Sequence, residues 1–138
     1  MKKIKRGQSS IELIVLFSLG LAIVLIILSL NQNTISSIAS QFEAEKAKSA
    51  LNDISNAAEL VYREGAGAKT KIFVSLPGGI NKINISSNLM DFSLYSGGNL
   101  RNIYRTFGFN VSGNISKEEG NNWVIVESKD GFVSIKNG

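Results

Sequence analysis

The sequence predicts an α+β protein: a long N-terminal α-helix, transmembrane in its first half and amphipathic in its second, packed on a C-terminal antiparallel β-sheet domain. Three features of the chain point there. Residues 13–30 are an apolar run without a charge, residues 35–61 carry apolar side chains at steps of three and four, and from Thr70 onward β-branched and aromatic residues alternate with turn formers. With 138 residues, 43% of them hydrophobic, the chain is one domain plus at most one appendage. It has no cysteine and no histidine, which removes disulfides, thiolate and imidazole metal ligands, a cysteine nucleophile and the usual general base at neutral pH. An enzyme, a metal site or a bound cofactor is not expected. Lys2, Lys3, Lys5 and Arg6 account for the whole formal charge of +4; subtracting those four from 15 Lys and Arg leaves eleven, against eleven Asp and Glu. Phosphate contacts need a spread of basic residues, so a body neutral in sum predicts no nucleic-acid partner.

The apolar run reads LIVLFSLGLAIVLIILSL from Leu13 to Leu30. From Gln8 to Leu30 a helix covers ~34 Å at ~1.5 Å per residue, enough for the hydrocarbon core of a bilayer. Four cationic residues precede the run and the next one is Lys46, so Met1 is expected in the cytoplasm and the C-terminal body outside. A secretory signal peptide would have a short apolar region and a small-residue cleavage site, whereas this run is long and is followed by Asn31, Gln32 and Asn33. An uncleaved anchor leaves unexplained the polar stretch from Gly7 to Glu12, whose carboxylate abuts the apolar run. A charge at the membrane end of a helix costs up to ~3 kcal/mol, which marks Glu12 as a functional candidate.

Lys5-Arg6-Gly7-Gln8-Ser9-Ser10-Ile11-Glu12-Leu13, followed by a long apolar helix, resembles the class III signal peptide of euryarchaeal type IV pilin-like proteins, which is similar in logic to bacterial type IV prepilin leaders. The resemblance covers about the first thirty residues. It implies that a membrane-embedded prepilin peptidase cuts between Gly7 and Gln8, that Lys5 and Arg6 are leader charges, and that the helix stays in the mature chain with Glu12 as its fifth residue. Archaellins, the close relatives, usually have a Gly/Ala/Thr-rich start after the cut; this sequence departs from that and lies nearer the pilin side. The resemblance further implies a structural subunit of a surface filament serving adhesion or attachment, shaped like a lollipop. Its implied partners are other copies of itself, a prepilin peptidase, an assembly ATPase and a membrane platform protein, with the membrane as its home before assembly.

Cutting there removes the net charge and places a new ammonium on Gln8, four residues from Glu12. In an apolar bundle both would be unpaired, so Glu12 of one subunit is expected to pair with the amino terminus of a neighbour and to set register. Cyclisation of Gln8 to pyroglutamate would instead leave Glu12 a hydrogen bond, with Ser9 and Ser10 as candidate partners.

Beyond Leu30 the apolar positions narrow to Ile35, Ile38, Phe42, Ala47, Leu51, Ile54, Ala58 and Val61, an amphipathic stripe. Glu43 with Lys46, Glu45 with Lys48 and Glu59 with Arg63 fall at helix-neighbour spacing. A helix from about Ser9 to Glu64 would run ~80 Å, with Asn31 to Thr34 a weak point and Gly65 and Gly67 ending it. Residues 65–70 are no phosphate loop: Ala68 and Arg63 stand where that motif needs glycines, and a helix precedes it.

Candidate strands are residues 71–76, 80–86, 90–95, 102–110, 123–128 and 132–136, broken at Pro77-Gly78-Gly79, Ser96-Gly97-Gly98-Asn99, Gly113-Asn114, residues 117–122 and Lys129-Asp130-Gly131. Short connections imply antiparallel neighbours. Alternation at Ile72, Val74 and Leu76, at Ile83 and Ile85, and at Phe107, Phe109 and Val111 implies one buried face. Sixty-nine residues make a marginal core, so the sheet should lean on the stripe from Ile35 to Val61. The expected divisions are a leader (1–7), a transmembrane or filament-core helix (8–34), an amphipathic continuation with a glycine-ended linker (35–69) and an extracytoplasmic β domain (70–138).

Three N-glycosylation sequons start at Asn84, Asn110 and Asn114; the last two, near a turn, are the better acceptors, while Asn84 falls mid-strand. Trp123, Tyr95, Tyr104 and Phe132 are expected as core and cross-strand pairs rather than as a binding surface. Asp91, Glu118, Glu119 and Asp130 lack metal-ligand spacing. The rival reading is a membrane-anchored extracytoplasmic binding or sensing module, or a minor pilin that does not form the filament body.

Overall fold

The computed structural model describes residues 4–138, apart from the side chains of residues 4–8 and of Asn33. In chain order the described residues form α1 (Ile4–Glu64), β1 (Lys69–Leu76), β2 (Ile80–Ser86), β3 (Leu89–Ser96), β4 (Asn99–Thr106), β5 (Asn110–Asn114), β6 (Gly120–Lys129) and β7 (Phe132–Asn137). The chain divides into two compact units, Met1–Ile38 and Ala39–Gly138. The fold is α+β, as the sequence predicts.

In the second unit the helix segment from residue 39 to Glu64 buries Ala47, Ala50, Leu51, Ile54, Ala57, Ala58 and Val61. Those spacings put every one of them on one side. The strands form two sheets, one ordered β1-β6-β7-β5 and one ordered β2-β3-β4. Val74, Leu76, Val124, Val126, Val133 and Ile135 from the first sheet, and Ile85, Met90, Phe92 and Leu94 from the second, join the helix residues in one core cluster. Phe92, Leu51 and Ile54 are its largest fully buried side chains.

Gly65, at φ 98°, turns the chain out of the helix, and its N–H donates to the Val61 carbonyl at 3.2 Å. The helix is pinned laterally by Arg105 of β4, whose guanidinium reaches Glu59 at 3.5 Å and Asn52 at 3.4 Å. Glu59 also faces Arg63 at 3.9 Å. The other two helix pairs expected from spacing, Glu43 with Lys46 and Glu45 with Lys48, do not close among the described residues; the ion pairs described are those of Glu59.

Four expectations are corrected. The strand expected over 102–110 ends at Thr106. Phe107 then donates its N–H to the Asn88 carbonyl at 2.8 Å, and Phe109 stacks on Tyr62 of α1 with ring centroids 4.1 Å apart, so these aromatics close the core from a loop. Gly113 and Asn114, expected as a break, are the last residues of β5. The strands are not all antiparallel: β5 pairs β7 in parallel, Val111 opposite Val133, because the chain crosses over between them through β6. Finally, Tyr95, Tyr104 and Trp123 are exposed, not core, although Trp123 does form the expected kind of cross-strand pair, with Phe73.

The β2–β3 turn holds Ser87 at φ 57°, a conformation that suits glycine and burdens a residue with a Cβ. Its carbonyl accepts the Val111 N–H, so the turn cannot relax without loosening β5. Ser87→Gly should therefore stabilise the domain by ~0.5–1 kcal/mol, seen as a higher chaotrope midpoint; an unchanged or lower midpoint contradicts the strain.

Candidate membrane and assembly segment

The described part of the first unit, from Ile4 on, is helix. Over its most apolar 18 residues α1 has a mean hydropathy of 3.1 and none of those residues is buried, so it is long and apolar enough to cross a membrane. From Ile11 to Ile38 every large apolar side chain described is exposed, including Leu13, Phe17, Leu25 and Leu30. Water does not tolerate such a cylinder, because each large apolar side chain left exposed forgoes ~1.5–3 kcal/mol of burial. Such a surface is compatible with anchoring in a membrane. Ser18 removes its own objection to an apolar surrounding by donating its hydroxyl to the Ile14 carbonyl at 2.8 Å, one turn back.

In the second unit Phe42 is still 72% accessible; Ser40 is the first helix residue met by the strands, its carbonyl accepting the Ser96 hydroxyl at 2.9 Å, and apolar burial follows with Ala44 and Ala47. The stripe expected to carry the sheet from Ile35 onward is corrected here: Ile35, Ile38 and Phe42 are exposed. Sequence reasoning missed these three as part of the uncovered surface. Along the stripe, isoleucine and phenylalanine give way to alanine at Ala47, the first fully buried apolar position, before Leu51 and Ile54.

Glu12 is exposed on α1 at the edge of the apolar run. The described ion pairs involve Glu59 and not Glu12. The leader cations Lys5 and Arg6 and the expected cleavage pair, Gly7 and Gln8, lie outside the residues described in side-chain detail. Of the sequons, Asn110 and Asn114 are the exposed first and last residues of β5, while Asn84 is half-buried in the middle of β2, opposite Asp91. Asn110 borders a shallow cleft with Ser87 and Phe132, and Asn114 another with Lys82 and Lys117. Among the described residues no group of three Asp or Glu is placed to hold a metal ion. Compared with protein-family models, curated proteins and solved structures, the chain matches none.

Proposed function

We propose that this chain is the subunit of a type IV pilus-like surface filament, held first in the membrane by α1 and then polymerised through it. The supporting observation is that the apolar length of α1 is left wholly uncovered by its own chain. A plain membrane anchor accounts for that surface but not for Glu12 at its edge or for the Gly7-Gln8-Ser9-Ser10 stretch before it. In this reading prepilin peptidase releases residues 1–7 on the cytoplasmic side, and an assembly ATPase and platform protein move the mature chain into the filament. The body then lies outside the cell and serves attachment, with Asn110 and Asn114 as glycan acceptors.

The deciding experiment is N-terminal sequencing and peptide mass mapping of the sheared extracellular fraction. Filaments whose subunit begins at Gln8, or at its cyclised form, are expected, with glycopeptides at Asn110 and Asn114 and none at Asn84. Protein found only in membranes with Met1 intact would instead establish a membrane-anchored binding or sensing module, and loss of the entire apolar helix would establish a secreted protein.

A further inference from the structure

The body is neutral in sum, but its charges are sorted by face. In the β1-β6-β7-β5 sheet, residues paired directly across strands share a face, and the face turned away from the core can be read from the register. Lys71 lies opposite Ile125, which lies opposite Lys136. Lys69 lies opposite Glu127, and Lys129 opposite Phe132. Phe73 lies opposite Trp123. This face thus carries four lysines, all exposed, against the single carboxylate of Glu127. Between them Phe73 and Trp123 stay about half exposed, 53% and 50%, with ring centroids 4.9 Å apart and a 56° tilt. The Lys71 ammonium stands 4.9 Å from the Trp123 ring.

We propose that this sheet face binds single-stranded nucleic acid, Trp123 and Phe73 stacking bases while Lys69, Lys71, Lys129 and Lys136 contact phosphates. Aromatic faces set among cations on an open surface are what an unpaired strand requires, since each base offers a π-face and each phosphate a charge. Lys71 and Lys136 flank β6 at two strand spacings, roughly 10 Å. A second copy of this chain is the poorer occupant, because several of its acids already stand beside cations. Glu59 is engaged by Arg63 and Arg105, Glu45 is followed by Lys46, and Glu118 follows Lys117. Asn110 and Asn114 lie on β5, the edge strand farthest from Phe73, opposite Phe132 and Lys136, so a glycan on Asn114 would stand on this same face beside Lys136. The inference is independent of polymerisation.

The full chain in non-ionic detergent, titrated with a twelve-residue oligothymidylate, provides the test, and Trp123, the one tryptophan of the chain, is a built-in reporter. Saturable quenching of its fluorescence is expected at 50 mM salt. With three to four phosphates engaged, affinity should fall about 20- to 50-fold between 50 and 200 mM salt. Followed by anisotropy of a labelled oligonucleotide, Trp123→Ala should weaken binding ~5- to 150-fold. The double change Lys71→Gln with Lys136→Gln should roughly halve the salt slope, whereas Lys46→Gln with Lys48→Gln, an equal loss of charge on the exposed helix side, should leave it unchanged. All variants retain Lys2, Lys3, Lys5 and Arg6, so that cluster cancels from the comparison. Absence of quenching, equal effects of the two lysine pairs, or equally tight binding of polygalacturonate that ignores Trp123→Ala would each overturn the proposal, the last by showing a surface for acidic polysaccharide.

Discussion

Gly113→Ala is expected to destabilise the β domain by about 3–5 kcal/mol, a loss at the severe end for a single methyl group. A Cβ built on Gly113 would lie 1.8 Å from the Ile135 carbonyl oxygen and 2.9 Å from the Ile135 nitrogen, both backbone atoms of β7. No rotamer change relieves that, because Gly113 and Ile135 face each other in the parallel ladder and the φ of Gly113 is +154°. Strand β5 must separate from β7, exposing Val111 and Ile135, or the body must fold without the pair. At ~4 °C or more per kcal/mol in a domain of this size, thermal unfolding followed by the β signal in circular dichroism should shift down by at least about 12 °C. A variant melting within a few degrees of the parent would mean the close approach is not maintained. Gly65→Ala, where no heavy atom lies near the added Cβ but φ is 98°, should cost only ~1 kcal/mol and separates backbone strain from collision.

The second large effect concerns assembly. Glu12→Ala should lower the yield of filaments ~100-fold or more while cleavage before Gln8 proceeds normally. In the proposed filament Glu12 is the charge that a neighbour's new amino terminus meets in an apolar bundle, and removing one partner of such a pair costs ~3–5 kcal/mol. Glu12→Gln, which keeps a hydrogen-bonding group, should fall between the two. The readout is the ratio of sheared to membrane-bound protein, with N-terminal sequence as the control for processing. Filaments of normal abundance from Glu12→Ala would remove the pairing from the account, and unprocessed protein would move Glu12 into recognition by the peptidase.

Much of this architecture is legible from local chemistry. The Asp130-Gly131 dipeptide joins β6 and β7 with Gly131 at φ 86°, and Gly65 stops the helix, because both signals act within a few residues. The placement of Asn84 in mid-strand follows for the same reason. What local chemistry hides is pairing between distant segments. Phe107, Phe109 and Val111 alternate as one strand would, yet Phe107 and Phe109 are loop residues packed at the helix and Val111 belongs to β5; two environments happen to bury the same period. The parallel partnership of β5 and β7 has no sequence signature, since it depends on where β6 returns. The charge-sorted face was invisible in a net charge and required the register. Of the assembly segment, the apolar run and Glu12 were readable from composition, but its extension through Ile35 to Phe42 required knowing which part of the stripe the strands leave bare.

The position of β7 imposes a timetable on biosynthesis. It is interior to its sheet, between β6 and β5, yet it follows every other strand in the sequence. At ~5–20 residues per second, the ribosome needs roughly 4–15 s after finishing α1 before this keystone exists. During that interval β1 lacks a stable ladder, its partner being β6, and β5 has no neighbour in its own sheet. In the proposed function the helix reaches lipid before β7 has been made, so the four-stranded sheet closes only after its last strand has crossed, whereas the sequential hairpins of β2, β3 and β4 can pair earlier.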